Sequence, residues 1–214
     1  MTRLPAAKRR EQLLDTAVAL FAEKGYGGAT TAELAKAAGV TEPIIYRHFE
    51  SKKTLFIAAI ERTGEMVTQT WERQMRTAHD PAHRLRRLIG ANPMVMERGR
   101  GFYRVIVQAM MEIADPDILA AIQEHIISLH RFVAREVALA QDEGHVSKYY
   151  SPEITAWTLL HLGLGYGMME PLGIKGHAED ERGVRVRDLI ERLMLGDKAR
   201  TTGERAERSV HHDD

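Results

Sequence analysis

The chain has 214 residues, 44% of them hydrophobic and 28% charged, which excludes wholesale disorder and collagen-like repetition. Thirty Lys+Arg balance thirty Asp+Glu, so there is no uniformly basic coat, and the absence of cysteine excludes a disulfide framework and any Cys-based zinc or redox site. The longest apolar run, Trp157 to Met169, contains His161 and is too short for a bilayer, and Met1 to Arg10 lacks the apolar stretch of a secretory signal, so a cytoplasmic protein with no membrane partner is expected.

The charge is uneven. Residues 1–60 hold nine basic and six acidic side chains, whereas residues 61–195 hold 17 basic and 19 acidic. A difference of this size is common by chance, so position along the chain has to decide its meaning.

Helical periodicity dominates. Leu13, Leu14, Ala17, Leu20 and Phe21 recur at helical spacing and predict a first helix, with Pro5 near its start and Gly25 placed to end it. Thr30 and Glu33 spell a capping box that opens a short second helix through Ala38. Gly39 permits a tight turn, Thr41 is placed to cap a third helix running to about Phe49, and Ser51 to cap a long fourth one through about Arg76.

The pairs Asp80-Pro81, Asp115-Pro116 and Ser151-Pro152 each set a capping side chain before a proline at the first helical position. Asn92-Pro93 should break or kink the segment that begins at Pro81. Gly144 and Gly196 close two of the later stretches, and Pro171 with Gly173 closes another. From Asp197 onward the chain is polar and aperiodic, which predicts a disordered tail over residues 197–214. The sum is an all-α fold of about nine helices.

Two short helices joined through Gly39 form a helix-turn-helix pattern. Leu34, Ala35, Ala38, Val40, Ile45 and Phe49 are spaced to pack these helices on Leu13, Ala17 and Phe21. That leaves Thr41 to His48 as an outward probe, with Glu42, Pro43, Ile44, Tyr46, Arg47 and His48 on its start and outer face. In such a motif these positions meet base edges in the major groove. Arg47 is suited to a bidentate contact with guanine, Glu42 to accepting from cytosine, and Ile44 to touching a thymine methyl. Thr30 and Thr31 lie at a helix N-terminus, which attracts phosphate. Simpler readings stay open: a packing role for Tyr46 and His48, and a solvated charge for Arg47.

The stretch T-T-A-E-L-A-K-A-A-G-V-T-E-P-I-I-Y-R-H-F-E-S-K-K-T-L-F, from Thr30 to Phe56, resembles the DNA-binding signature of TetR (tetracycline-repressor-like) regulators. The resemblance extends upstream through LLDTAVALFAEKGYGGAT and covers roughly Arg10 to Ile60. It implies that Tyr46 and Lys52 contact the DNA backbone. It also implies a three-helix DNA-binding domain over residues 1–52 and a larger helical effector-binding and dimerisation domain over residues 53–196.

Two apolar stripes bear on the dimer. Ala156, Leu160, Gly163 and Gly167 share one helix face, and Val186, Leu189, Ile190, Leu193 and Met194 form another. Paired with their symmetry mates they make a four-helix interface; the alternative is packing within one subunit. A candidate effector pocket combines Met94, Phe102, Tyr103, Val107, Met110, His125, Leu129, Trp157 and His161, whose thioethers and rings suit a mostly apolar ligand. Ordinary core packing is the competing account of these residues.

No catalytic motif emerges. Gly163-Leu164-Gly165-Tyr166-Gly167 is followed by Met168 where a dinucleotide fingerprint needs glycine, and no strand precedes it. Glu124-His125 lacks a partner histidine at useful spacing, so no metal, cofactor or enzymatic activity is expected. The expected protein is a homodimeric regulator, with repression as its output, that binds a pseudo-palindromic double-stranded DNA operator and is released by a small effector. Two alternatives remain: a DNA-binding protein without small-molecule control, and a helical enzyme or carrier with a vestigial DNA module.

Overall fold

The computed structural model describes residues 5–90, 97–169 and 172–195, with the backbone alone at 97–102. Among these residues it contains nine α-helices and one short 3-10 helix. The first helix, α1 (Ala6–Gly28), follows Pro5 and buries Leu13, Leu14, Ala17, Val18 and Phe21 along one face. Gly25 interrupts it with φ 71° and ψ 175°, a conformation open to glycine alone at little strain. A Cβ there would also stand 2.9 Å from Gln108 Oε1 of α6 (Glu97–Ala109).

The Thr30 capping box is formed: its hydroxyl accepts from Glu33 N and the Glu33 carboxylate accepts from Thr30 N, opening α2 (Thr31–Ala38). Gly39 then takes the left-handed conformation, φ 65°.

The expected Thr41 cap is not formed. Thr41 has the extended backbone of a cap, but its side chain makes no capping bond to α3 (Glu42–Tyr46). Pro43 has no N–H to offer, and the Ile44 N–H already donates to the Thr41 carbonyl at 2.9 Å. Regular helix ends at Tyr46 rather than near Phe49, although Phe49 N still donates to Ile45 O at 2.9 Å.

Ser51 and Thr54 exchange backbone-to-hydroxyl bonds of 3.1 and 2.9 Å and begin α4 (Lys52–Met75). The three proline-linked caps are also present. Asp80 accepts from His83 N ahead of α5 (Pro81–Gly90), Asp115 from Asp117 N and Ile118 N ahead of α7 (Pro116–Asp142), and Ser151 from Ile154 N ahead of α8 (Pro152–Met169). The 3-10 helix Met110–Glu112 follows α6, Gly144 and Gly173 adopt positive φ after α7 and α8, and α9 spans Val186–Leu195. Asn92-Pro93, Pro171, Gly196 and the tail from Asp197 lie outside the described residues.

By internal contacts the chain divides into two units, Met1–Gln69 with Met96–Leu129, and Thr70–Val95 with His130–Asp214. In the first, Phe56 of α4 meets Phe21 edge-on at 4.8 Å and Tyr26 at 4.9 Å, fixing α1 on α4. Lys53 bridges to Asp117 at 2.6 Å and Asp115 at 3.2 Å, joining the start of α4 to the start of α7. Deeper in, the Tyr103 hydroxyl and His125 Nε2 are 3.3 Å apart, and the His125 ring lies against Gly64. Burial pushes the His125 imidazole down to about 4 and the Tyr103 phenol up, so both are neutral at pH 7.

In the second unit Trp71 packs on Phe132 with ring centroids 5.4 Å apart, and the Arg135 guanidinium covers Phe132 at 4.9 Å. Arg84 of α5 grips the fully buried Glu136 carboxylate of α7 in a two-pronged contact of 2.8 and 2.9 Å, and Arg135 adds a third bond at 3.1 Å. Burial pushes that carboxyl up, but the two guanidinium groups outweigh it and hold the group below its ordinary value. Trp157 of α8 stacks on His130 at 4.3 Å. No helix of the described residues is long and apolar enough to cross a membrane.

Candidate nucleic-acid interface

The surface expected to read DNA is built on a buried anchor. Ile45 is 1% exposed, and with Leu34, Ala35, Ala38 and Phe49 it forms the buried underside of α2 and α3; Leu13, Ala17 and Phe21 of α1, which packs against α2, are buried as well. Only Val40, of the residues expected in this core, is half-buried. Because Ile45 points inward, its neighbours on the short helix cannot. Thr41, Pro43, Tyr46 and Arg47 are exposed, while Glu42, Ile44 and His48 are half-buried.

Hydrogen bonds stiffen this surface from behind. The Thr31 hydroxyl donates to the Glu42 carboxylate and lies 3.2 Å from the Tyr46 hydroxyl, so the start of α2 is stitched to both ends of α3. Glu42 is thereby engaged inside the protein, which the linear sequence did not reveal. Thr30 is exposed and Thr31 half-buried at the α2 N-terminus, where unpaired N–H groups favour an anion. Lys24 pairs with Glu33 at 2.6 Å, and Lys52 sets its ammonium 4.6 Å from the Tyr26 ring centre, holding the first residue of α4 beside the motif. Arg47 enters no ion pair among the described residues.

The residues named for an effector pocket are distributed over both units. Tyr103, His125 and Leu129 are buried, and Val107 and Met110 half-buried, in the first unit. Trp157 is half-buried and His161 exposed in the second, their rings 5.9 Å apart. Met94 and the Phe102 side chain lie outside the described residues.

Of the dimer candidates, Ala156, Leu160 and Gly163 are buried within the single chain and Gly167 and Ile190 are half-buried. Val186, Leu189 and Leu193 of α9 are 37%, 54% and 75% exposed, so a large apolar area is open on that helix. A groove beside it is lined by Leu88 and Ile89 of α5, Leu159 and Tyr166 of α8, and Val186 and Ile190 of α9.

The comparisons with known proteins converge. The family model "Bacterial regulatory proteins, tetR family" matches residues 13–59, the segment that forms α1, α2, α3 and the start of α4. The transcriptional activator FasR of Mycolicibacterium smegmatis is 33% identical over 121 residues, a match spanning 56% of this chain and 55% of FasR. The nucleoid occlusion factor SlmA of Marinobacter nauticus is 30% identical over 148 residues, spanning 69% of this chain and 74% of that one. The crystal structure of AibR with isovaleryl coenzyme A and operator DNA superposes with a TM-score of 0.63 at 21% identity, covering 88% of this chain and 98% of AibR. On the matched helix-turn-helix and on similarity that runs well beyond it, the chain belongs to the TetR family of bacterial regulatory proteins.

Proposed function

We propose that the protein is a ligand-responsive transcriptional repressor that binds a pseudo-palindromic operator as a homodimer and releases it on binding a small, mostly apolar effector. In this reading residues 1–52 read the DNA, and residues 53–196 bind the effector and form the dimer. The observation that carries it is the outward face of α3, with Pro43, Tyr46 and Arg47 exposed above a rigidly buried Ile45. Arg47, exposed and in no ion pair among the described residues, suits a guanine edge, whereas Thr30, Thr31, Tyr46 and Lys52 suit phosphates that set register.

Dimerisation is supported by the exposed stripe Val186, Leu189 and Leu193, which water would otherwise solvate. In a two-fold dimer each copy reads one half-site, and the two recognition helices must be spaced by about one helical turn, ~34–36 Å, or a multiple of it. Because α4 is one continuous helix from Lys52 to Met75, an effector that displaces it moves the residues just after the reading helix. AibR, crystallised with both an acyl coenzyme A and its operator, supports small-molecule control as part of the reading.

The test is selection of DNA from a random pool by the purified protein, followed by footprinting and transcription assay. Recovery of a palindrome is expected, with transcription falling when the protein is added; a rise would make it an activator, as FasR is named. Arg47→Ala and Tyr46→Ala should each weaken operator binding by about 1–3 kcal/mol with an unchanged circular dichroism spectrum. An operator footprint untouched by both substitutions would remove the proposed reading face.

A further inference from the structure

A cleft of about 500 Å³ opens in the first unit among α1, α4 and α6, lined by none of the residues assigned above to DNA, effector or dimer. Its floor is apolar: Val18, Ala19 and Ala22 from one face of α1, with Met66 of α4. On its lining Arg62 pairs with Asp15 at 3.1 Å and also meets Glu65 at 3.4 Å, so its charge is already taken up. That leaves two charges on the wall, Glu23 of α1 and Arg104 of α6, both exposed and neither in an ion pair with the other or with any described residue.

Two charges of opposite sign, unpaired among the described residues, above an apolar floor restrict what fits. A simple organic anion satisfies Arg104 and meets Glu23 with repulsion, while an organic cation does the reverse. A molecule with a carboxylate and an ammonium on one carbon, and an apolar group beside them, satisfies all three surfaces with charge-assisted hydrogen bonds and buried carbon. We infer that this cleft is a binding site for a free apolar α-amino acid, its carboxylate on Arg104, its ammonium on Glu23 and its side chain on Val18, Ala19, Ala22 and Met66.

The site touches the DNA-reading unit directly. The face of α1 opposite the cleft carries the buried Leu13 and Ala17, and α1 packs against α2, which in turn packs against α3, so a ligand that clamps α1 to α4 and α6 bears on the helix-turn-helix. It is an input separate from the apolar effector proposed above, and its binding is measurable without DNA, so its failure leaves the regulatory reading standing and the converse also holds.

The test is isothermal titration of the purified full chain with L-leucine, L-methionine, L-phenylalanine and L-valine. N-acetyl-L-leucine serves as the anion-only arm and L-leucinamide as the cation-only arm. The expected result is saturable binding of at least one zwitterion at one per chain, with both blocked forms weaker by about tenfold or more. Arg104→Gln and Glu23→Gln, at exposed positions, should each reduce affinity by a similar factor. Ala19→Phe should abolish binding by filling the cleft while the melting curve stays unchanged. Binding of none of the four amino acids, equal binding of a blocked form, or indifference to all three substitutions would overturn the assignment.

Discussion

Gly64 and His125 illustrate how one missing carbon decides a buried polar contact. A Cβ at position 64 would lie 2.7 Å from His125 Nδ1, and the ring is held from its other side by Tyr103. Gly64→Ala should therefore destabilise the protein by about 1–3 kcal/mol in urea titration, and pairing it with His125→Ala should remove most of the interaction between the two sites. The same ring gives a pH dependence of known sign. His125 titrates near 4 when folded against an ordinary 6.5, because burial opposes its charge. Between those values the unfolded chain takes up a proton that the folded chain refuses, so stability falls as pH drops from 6.5 to 4, by up to about 3 kcal/mol. Melting curves of His125→Gln should lack this component of the acid slope.

At the scale of helices, the starts were readable in advance because a cap is a local bargain between a side chain and the next three N–H groups. Thr30, Ser51, Asp80, Asp115 and Ser151 all perform it. Thr41 does not, for an equally local reason: the proline two residues on removes one donor and the Thr41 carbonyl takes the next. The bond from Thr31 to Glu42 was not readable, since it joins residues eleven positions apart across a turn whose geometry no periodicity encodes. The start of α4 yields a separate expectation. Lys52 is steadied on Tyr26, so Lys52→Gln should weaken binding to all DNA sequences alike and lower the slope of log affinity against log salt by about one, read by fluorescence anisotropy.

For the molecule as a whole, spacing and capping signals were enough for an all-helical fold, whereas the regulator reading came from the resemblance of the helix-turn-helix segment, where the family model matches residues 13–59. Surface allocation was harder to read. Ala156, Leu160 and Gly163 form a clear stripe, yet a stripe does not say whether its partner is in the same chain; here those residues are already buried, while Leu189 and Leu193 are open. The cleft floored by Val18, Ala22 and Met66 left no trace in the sequence, because its walls come from three helices far apart along the chain. The exposed α9 residues set the last expectation. If the proposed dimer forms through α9, Leu189→Arg combined with Leu193→Glu should leave a monomer by light scattering, and operator affinity should fall with the loss of the second half-site.

The chain contains two tryptophans, and their surroundings differ in a way that makes the protein its own optical gauge. Trp71 is sealed at 1% exposure against Phe132, whereas Trp157 is only half-buried and shares its face with the His130 imidazole. Iodide should therefore quench the Trp157 indole and spare that of Trp71, separating their emission without any label. The shielded signal follows the interior, and the accessible one follows whatever comes to cover α8.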